Sequence, residues 1–303
     1  MRSLTYEGIT WLDDASPTEE ALLVLQKRYG FHELDIEDCL SEHERPKIEE
    51  YDPYLFLECH IPYLHTQTGR IQKEEVDIFL GSDFFITIHS GRIGALDTLW
   101  HTMQHSEEKR REHLKQGTGF FLANLMRMLF DQGFPLIDEI MKGLRHIEKE
   151  LFDAEETTDL LRHILTIRRN IIMMRSILLP HRTLIAILEH KNKKFIPDEL
   201  AIYFDDILDG IERQWAILDM AKEMSEALQD THRASLTHKN NAVIRILTIF
   251  SVTMLPLTVL TGFYGMNITL PLQENPTAFL LLSGAMLLLI AGFLGYFSWK
   301  RWL

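Results

Sequence analysis

Two uncharged runs near the C-terminus constrain this chain more than anything else in it. No residue from Ile246 to Tyr264 is charged, and none of the 22 residues from Ala278 to Trp299 is. Each run is long enough to cross a ~30 Å hydrocarbon core as a helix. The chain is therefore predicted to span a bilayer twice, turning at Tyr264-Gly265-Met266-Asn267. Lys239 and Arg245 precede the first span, Lys300 and Arg301 follow the second, and the connecting stretch "NITLPLQENP" holds no basic residue. Basic residues stay on the cytoplasmic side. Both termini are thus expected in the cytoplasm, with the short loop outside the cell (inner) membrane. Trp299 and Trp302 suit the inner interface and Tyr264 the outer one.

The remainder of the chain is strongly acidic. Of 44 acidic and 31 basic residues, one and three fall after residue 241, so residues 1–241 carry 43 and 28, a net of −15. Such a surface attracts cations and lacks the Lys and Arg that phosphate contacts require, which argues against nucleic acid as a partner. The two cysteines, Cys39 and Cys59, form no CxxC pattern and are expected to be free thiols in a reducing compartment. The N-terminus has no apolar stretch of the kind a secretory signal needs. The 14 histidines are scattered, with no HExxH, and are expected at the surface or in caps. With no nucleophile elbow, phosphate-binding loop or dinucleotide fingerprint, nothing points to an enzyme.

The fold class expected is an α+β cytoplasmic domain, a long stalk helix and two C-terminal transmembrane helices. Residues 1–95 read as an α/β domain and 96–197 as a helical region. Residues 198–264 read as the stalk continuing into the first span, 265–277 as the turn and outer loop, 278–299 as the second span and 300–303 as a basic tail. "TYEGITWLD" reads as a strand. Ser16 is expected to cap a helix with Pro17 at its first position and Glu19 at its third. "YLFLECHIPYL" and "VDIFLGSDFFITIH" read as strands, the second a hairpin about Gly81-Ser82-Asp83. Segments 119–153 and 159–191 have the apolar spacing of an antiparallel helix pair.

Between Pro197 and Pro256 there is no proline, and Gly210 is the only glycine. That is room for a helix of about 58 residues, ~87 Å at ~1.5 Å each. Asp205, Asp209, Glu212, Asp219, Glu223, Glu226 and Asp230 recur along it with a 3.5-residue period. Extended into the first span, the same face carries Thr237, Asn241, Ile244, Thr248, Ser251, Leu255, Thr258 and Gly262. A solvated helix face explains the acids. It explains the membrane portion less well, because Asn, Ser and Thr should face a neighbouring helix or water. Two spans cannot enclose a pore, so the pattern implies a homo-oligomer with the first spans around an axis.

These segments resemble the CorA family of magnesium channels. "NNAVIRILTIFSVTMLPLTVLTGFYGMN" is similar to the family's first membrane helix ending in its Gly-Met-Asn signature, and "WKRWL" to its basic tail. "GFHELDIEDCLSEHERPKIEEYDPYLFLECHIP", "VDIFLGSDFFITIH" and "YFDDILDGI" are similar to its N-terminal domain and stalk. The resemblance implies a funnel-shaped homopentamer in the lipid bilayer that conducts Mg²⁺, and also Co²⁺ or Ni²⁺. It implies a selectivity ring at Asn267 shaped by Gly265 and Met266, and inner rings at Asp230 and Asn241. Thr258 would be a polar ring and Ile244, Leu247 and Leu255 apolar constrictions. A regulatory Mg²⁺ would sit between subunits at Asp206, with Asp97 as the partner acid. The outer loop departs from the family's pattern, since Glu274 is its lone acid and follows Leu272-Gln273 rather than a Met-Pro pair. Glu274 is therefore the candidate for recruiting cations at the mouth.

The chemistry suits the ion. Mg²⁺ gives up its water reluctantly; neutral Asn carbonyls can accept hydrogen bonds from those waters and still release the ion, and apolar rings can close a pore by dewetting. Cytoplasmic Mg²⁺ bridging acids at subunit contacts would hold the closed state. The alternatives are a zinc or proton-coupled relative, against which Met266 argues, and a non-conducting membrane-anchored scaffold or sensor, which would need no Asn241, Ser251 or Thr258.

Overall fold

The computed structural model describes residues 1–41, 45–153, 158–190, 194–266 and 276–302. The chain divides into two compact units, residues 1–228 and 229–303.

The first unit is built on a six-stranded mixed sheet. Strands β1 (Arg2–Tyr6) and β2 (Ile9–Asp14) form a hairpin where a single strand was expected. Glu7 and Gly8 both have positive φ, 46° and 89°, the handedness that a two-residue hairpin turn demands. Helix α1 (Glu19–Tyr29) is capped by Thr18, whose hydroxyl accepts from the Ala21 N–H, and not by Ser16, whose hydroxyl donates to the Ala15 carbonyl. It stops at Gly30, φ 74°. Helix α2 (Glu33–Asp38) is capped by His32 Nδ1. Strands β3 (Lys47–Glu50), β4 (Leu55–His65), β5 (Arg70–Leu80) and β6 (Phe84–His89) complete the order β1-β2-β6-β5-β4-β3, in which only β2 and β6 run parallel. The β5–β6 hairpin turns at Gly81-Ser82-Asp83, and β5 starts at Arg70 rather than Val76.

Alternation along each strand gives the sheet two apolar faces. On one, Tyr54, Phe56, Phe79, Ile86 and Ile88 pack with Leu22, Leu25, Phe31 and Ile36 of α1 and its flanks. On the other, Leu55, Leu57, Cys59, Ile78 and Leu80 join a larger core with the helices that follow. These are α3 (Gly94–His105), α4 (Glu107–Leu114), α5 (Thr118–Asp131), α6 (Gly133–Asp153) and α7 (Thr158–His190). The stretch expected as one helix over 119–153 is thus two, α5 and α6, separated at Gln132; α6 and α7 pack together. Leu160–Glu189 of α7 is long and apolar enough to cross a membrane. Its Ile164, Ile171, Met174, Leu178 and Ile185 nevertheless belong to the same core as the sheet, so α7 is a core helix. A 3-10 turn at Asp198–Leu200 leads into α8 (Ala201–Tyr264). The second unit holds the remainder of α8 and α9 (Pro276–Trp299), whose apolar stretches are almost wholly exposed.

The lead-in to α8 lies hard against α5. A Cβ on Gly119 would sit 2.4 Å from the Phe195 carbonyl oxygen, a backbone atom that cannot swing aside. Gly119→Ala is expected to destabilise the chain by about 1–3 kcal/mol through this overpacking, read as a lowered thermal midpoint.

His60, His89 and His181 are buried, unlike the surface or capping positions expected. His181 closes the edge of β4 beyond β3: its Nδ1–H donates to the Ile177 carbonyl and its Nε2 accepts from the His60 N–H at 3.0 Å. Burial pushes its pKa from 6.5 down to about 4. A group lowered in the folded state contributes stability above its unfolded pKa that is lost on acidification. The loss here runs from pH ~6.5 down to pH ~4 and is of order 3 kcal/mol. His181→Gln, which can accept the same bond at any pH, is expected to flatten melting temperature against pH over that window.

Candidate ion path and acidic sites

In the first unit α8 buries one stripe. Phe204, Ile207, Ile211, Gln214, Leu218, Ala221, Ser225 and Leu228 are buried, alternating steps of three and four, the 3.5-residue seam of helices packed side by side. The seven stripe acids, Asp205 to Asp230, are all exposed. They are not a bare row of charge. Glu212 accepts from Arg182 of α7 at 2.8 Å, Asp219 pairs with Arg175, Glu226 lies 3.8 Å from Lys222 and Asp230 lies 3.8 Å from Arg233. Arg175 also sits over the Trp215 ring at 4.4 Å. Exposed pairs of this kind are worth roughly 0–1 kcal/mol each, so their larger effect is to thin the field offered to cations.

Asp206 is exposed and lines a cavity of about 270 Å³ with Arg127, Asp131, Gly210, Arg213 and Gln214. Burial raises the Asp131 pKa, Arg127 opposes that, and the neighbouring Asp206 carboxylate adds to the rise. Two acids and two guanidinium groups thus share one recess. Asp97, in the first turn of α3, accepts from Arg2 at 2.7 Å. Arg2 is itself pinned by the buried Asp13 at 2.8 Å and lies over the Trp100 ring at 4.6 Å. Although burial would raise Asp13, hydrogen bonds from His89 and Thr87 and the Arg2 charge hold its pKa low, so this anchor stays ionised.

In the second unit the apolar stretch of α8 has one buried side, marked by Ile249, Thr253 and Leu257, each below 10% exposed. Ile244, Leu247 and Leu255 are 59%, 63% and 68% exposed, and Asp230, Asn241, Thr258, Gly265 and Met266 are exposed too. At ~100° per residue, Ile244, Leu255 and Thr258 fall within ~40° of the side opposite Thr253, and Asn241 and Leu247 about 60° to either side of it. The threonine hydroxyls find acceptors within the helix itself. Thr248, Thr253 and Thr258 donate to the carbonyls of Ile244, Ile249 and Met254 at 2.7–2.9 Å. Each is satisfied within its own helix, leaving its oxygen lone pairs as acceptors. Pro256, inside α8, has no N–H and so cannot donate to the Val252 carbonyl one turn back. The helix closes with the Gly265 N–H on the Thr261 carbonyl, 2.9 Å, and the Met266 N–H on that of Phe263, 3.3 Å. Asn267 and Glu274 lie outside the described residues.

Sequence reading missed Asp131 as the acid beside Asp206, because the contact needs the α5–α8 packing. It also missed a buried group, Glu58, His60 and Glu75. The alternation "LECHI" was visible, but pairing it with Glu75 required the β4–β5 register.

Comparison with known proteins was consistent along the chain. A family model described as "CorA-like Mg2+ transporter protein" matches residues 6–301. YfjQ of Bacillus subtilis (strain 168), named provisionally as a metal ion transporter, is 31% identical over 299 residues, covering 96% of this chain and 89% of its own. The cobalt/magnesium transport protein CorA of Thermotoga maritima is 24% identical, covering 91% and 78%. Among solved structures, the CorA magnesium transporter from Methanocaldococcus jannaschii superposes with a TM-score of 0.86 at 23% identity, over 100% of this chain and 95% of that one. The sheet, the long helix and the two apolar helices therefore make up one known fold.

Proposed function

The chain belongs to the CorA-like Mg²⁺ transporter family and is a membrane transporter of metal ions, not an enzyme; from that premise we propose that it conducts Mg²⁺ along the exposed side of the α8 membrane stretch. Several copies, five on the family pattern, would bring that side to a common axis. The observation that carries the reading is the two-sidedness of this stretch. Ile249, Thr253 and Leu257 are already buried within one chain, while Ile244, Leu255 and Thr258 remain open on the other side. In lipid, acceptor oxygens such as those of Thr258 and Asn241 gain nothing; around an axis they receive hydrogen bonds from the ion's waters. Asn267, with Gly265 and Met266, would form the outer ring that reads a hydrated ion, with Glu274 recruiting cations to it. Leu255, Leu247 and Ile244 would form dewetting constrictions, and Asn241 and Asp230 the inner rings.

Regulation would act at Asp206. Its recess already holds Asp131, and a Mg²⁺ there would relieve the repulsion between the two carboxylates. For Asp97 of a neighbouring copy to join, its bond to Arg2 would have to open, so the partner acid would be drawn from a preformed ion pair rather than from free solvent.

The experiment is Mg²⁺ entry into proteoliposomes. Asn267→Ala is expected to lower entry at least tenfold at limiting Mg²⁺, with assembly unchanged by size-exclusion chromatography. Unchanged entry in that variant would remove Asn267 from the filter, and no entry through the unmodified protein would favour a scaffold.

A further inference from the structure

We propose that the soluble unit binds a divalent cation of the Zn²⁺ or Co²⁺ class at Glu58, His60 and Glu75, independently of the membrane path. In the β4–β5 register His60 stands opposite Glu75 and Glu58 opposite Asp77. Strand alternation puts all four on the sheet face that α1 and α2 cover. Glu58, His60 and Asp77 are at most 3% exposed, and the Glu75 side chain is 20% exposed. Like charges placed directly across two strands are unfavourable even at a surface, and burying them is costlier unless something compensates. Asp77 stands beside the group, in which Glu58 and Glu75 put two carboxylates around one imidazole.

Their spacing is that of ligands. His60 Nε2 lies 3.5 Å from Glu58 Oε1 and 3.6 Å from Glu75 Oε2 and, although buried, makes no hydrogen bond among the described residues. Charge-assisted N–H···O bonds close to about 2.7–2.9 Å. Ligand atoms held at ~2.0–2.1 Å around a tetrahedral ion stand ~3.4 Å apart, and one ligand atom from each of these residues lies within 4.8 Å of the others. Glu75 also lines a cavity of about 220 Å³ with Cys39, Ser41, Lys73 and Asp77, which offers a way in and room for a water as fourth ligand. Arg92, a cation lining that cavity, is turned toward Glu74 at 3.7 Å. An imidazole with two carboxylates suits Zn²⁺, Co²⁺ or Ni²⁺; Mg²⁺ takes oxygen ligands and keeps its waters.

The test titrates Co²⁺ into the purified full-length protein in excess Mg²⁺, which fills sites that accept a hard cation. Visible absorption of bound Co²⁺ and metal content per chain are the readouts. The expected result is one Co²⁺ per chain that Zn²⁺ displaces, lost in His60→Gln and bound at least tenfold more weakly in Glu75→Gln, yet unchanged in Asn267→Ala. Glu75 lies at the rim of the core, so its variant, checked by circular dichroism, covers the case in which His60→Gln fails to fold. Equal Co²⁺ binding in wild type and Glu75→Gln, or no Mg²⁺-resistant Co²⁺ in wild type, would overturn the proposal.

Discussion

Hydrocarbon offers no hydrogen-bond partner, so whatever this chain places in a bilayer must satisfy its own polar groups. That constraint accounts for the form of its C-terminal unit: α8 and α9 are helices, and the threonines of α8 donate to carbonyls of their own helix. It also decides what remains available to an ion. Once the hydroxyl protons are used, what the threonines present is oxygen acceptors, joined by the side-chain oxygen of Asn241 and the Val252 carbonyl, to which Pro256 has no N–H to donate. An acceptor-rich surface of low charge favours a cation that keeps its water. A carboxylate ring at the same depth would hold Mg²⁺ more firmly.

The soluble unit is organised by a different rule. Its sheet is apolar on both faces, covered by α1 and α2 on one and by α3 to α8 on the other. The same helix that enters the membrane stretch therefore begins as a core element, with a buried seam of Phe204, Ile207, Ile211, Leu218 and Leu228. Its outer acids are tethered in part to Arg182 and Arg175. The acids so tethered cancel out of the −15 balance, which counts only the excess of acidic over basic residues in 1–241.

Elements governed by local chemistry were legible in the sequence. The uncharged runs, the β5–β6 turn at Gly81-Ser82-Asp83 and the long proline-free stretch each follow from residues close together in the chain. The misreadings have physical causes as well. Tyr6-Glu7-Gly8-Ile9 reads as strand because Glu at positive φ has no strong signature. Thr18 took the cap from Ser16 because the helix begins two residues later, where Glu19 and Glu20 meet the helix dipole. The Asp206–Asp131 recess and the Glu58–His60–Glu75 group were invisible because both depend on long-range register. For the membrane stretch, periodicity named a face, but only the burial of Ile249, Thr253 and Leu257 distinguishes its two sides.

The central claim is that the side of α8 opposite that buried triad carries the ions. It is tested most directly by single cysteines introduced in a Cys39→Ser background and treated with a charged, membrane-impermeant thiol reagent during Mg²⁺ entry into proteoliposomes. The account predicts that reagent stops entry through Leu255→Cys and Thr258→Cys while leaving Ile249→Cys and Leu257→Cys running at their untreated rates. Block at the buried positions with none at Leu255 or Thr258 would contradict it.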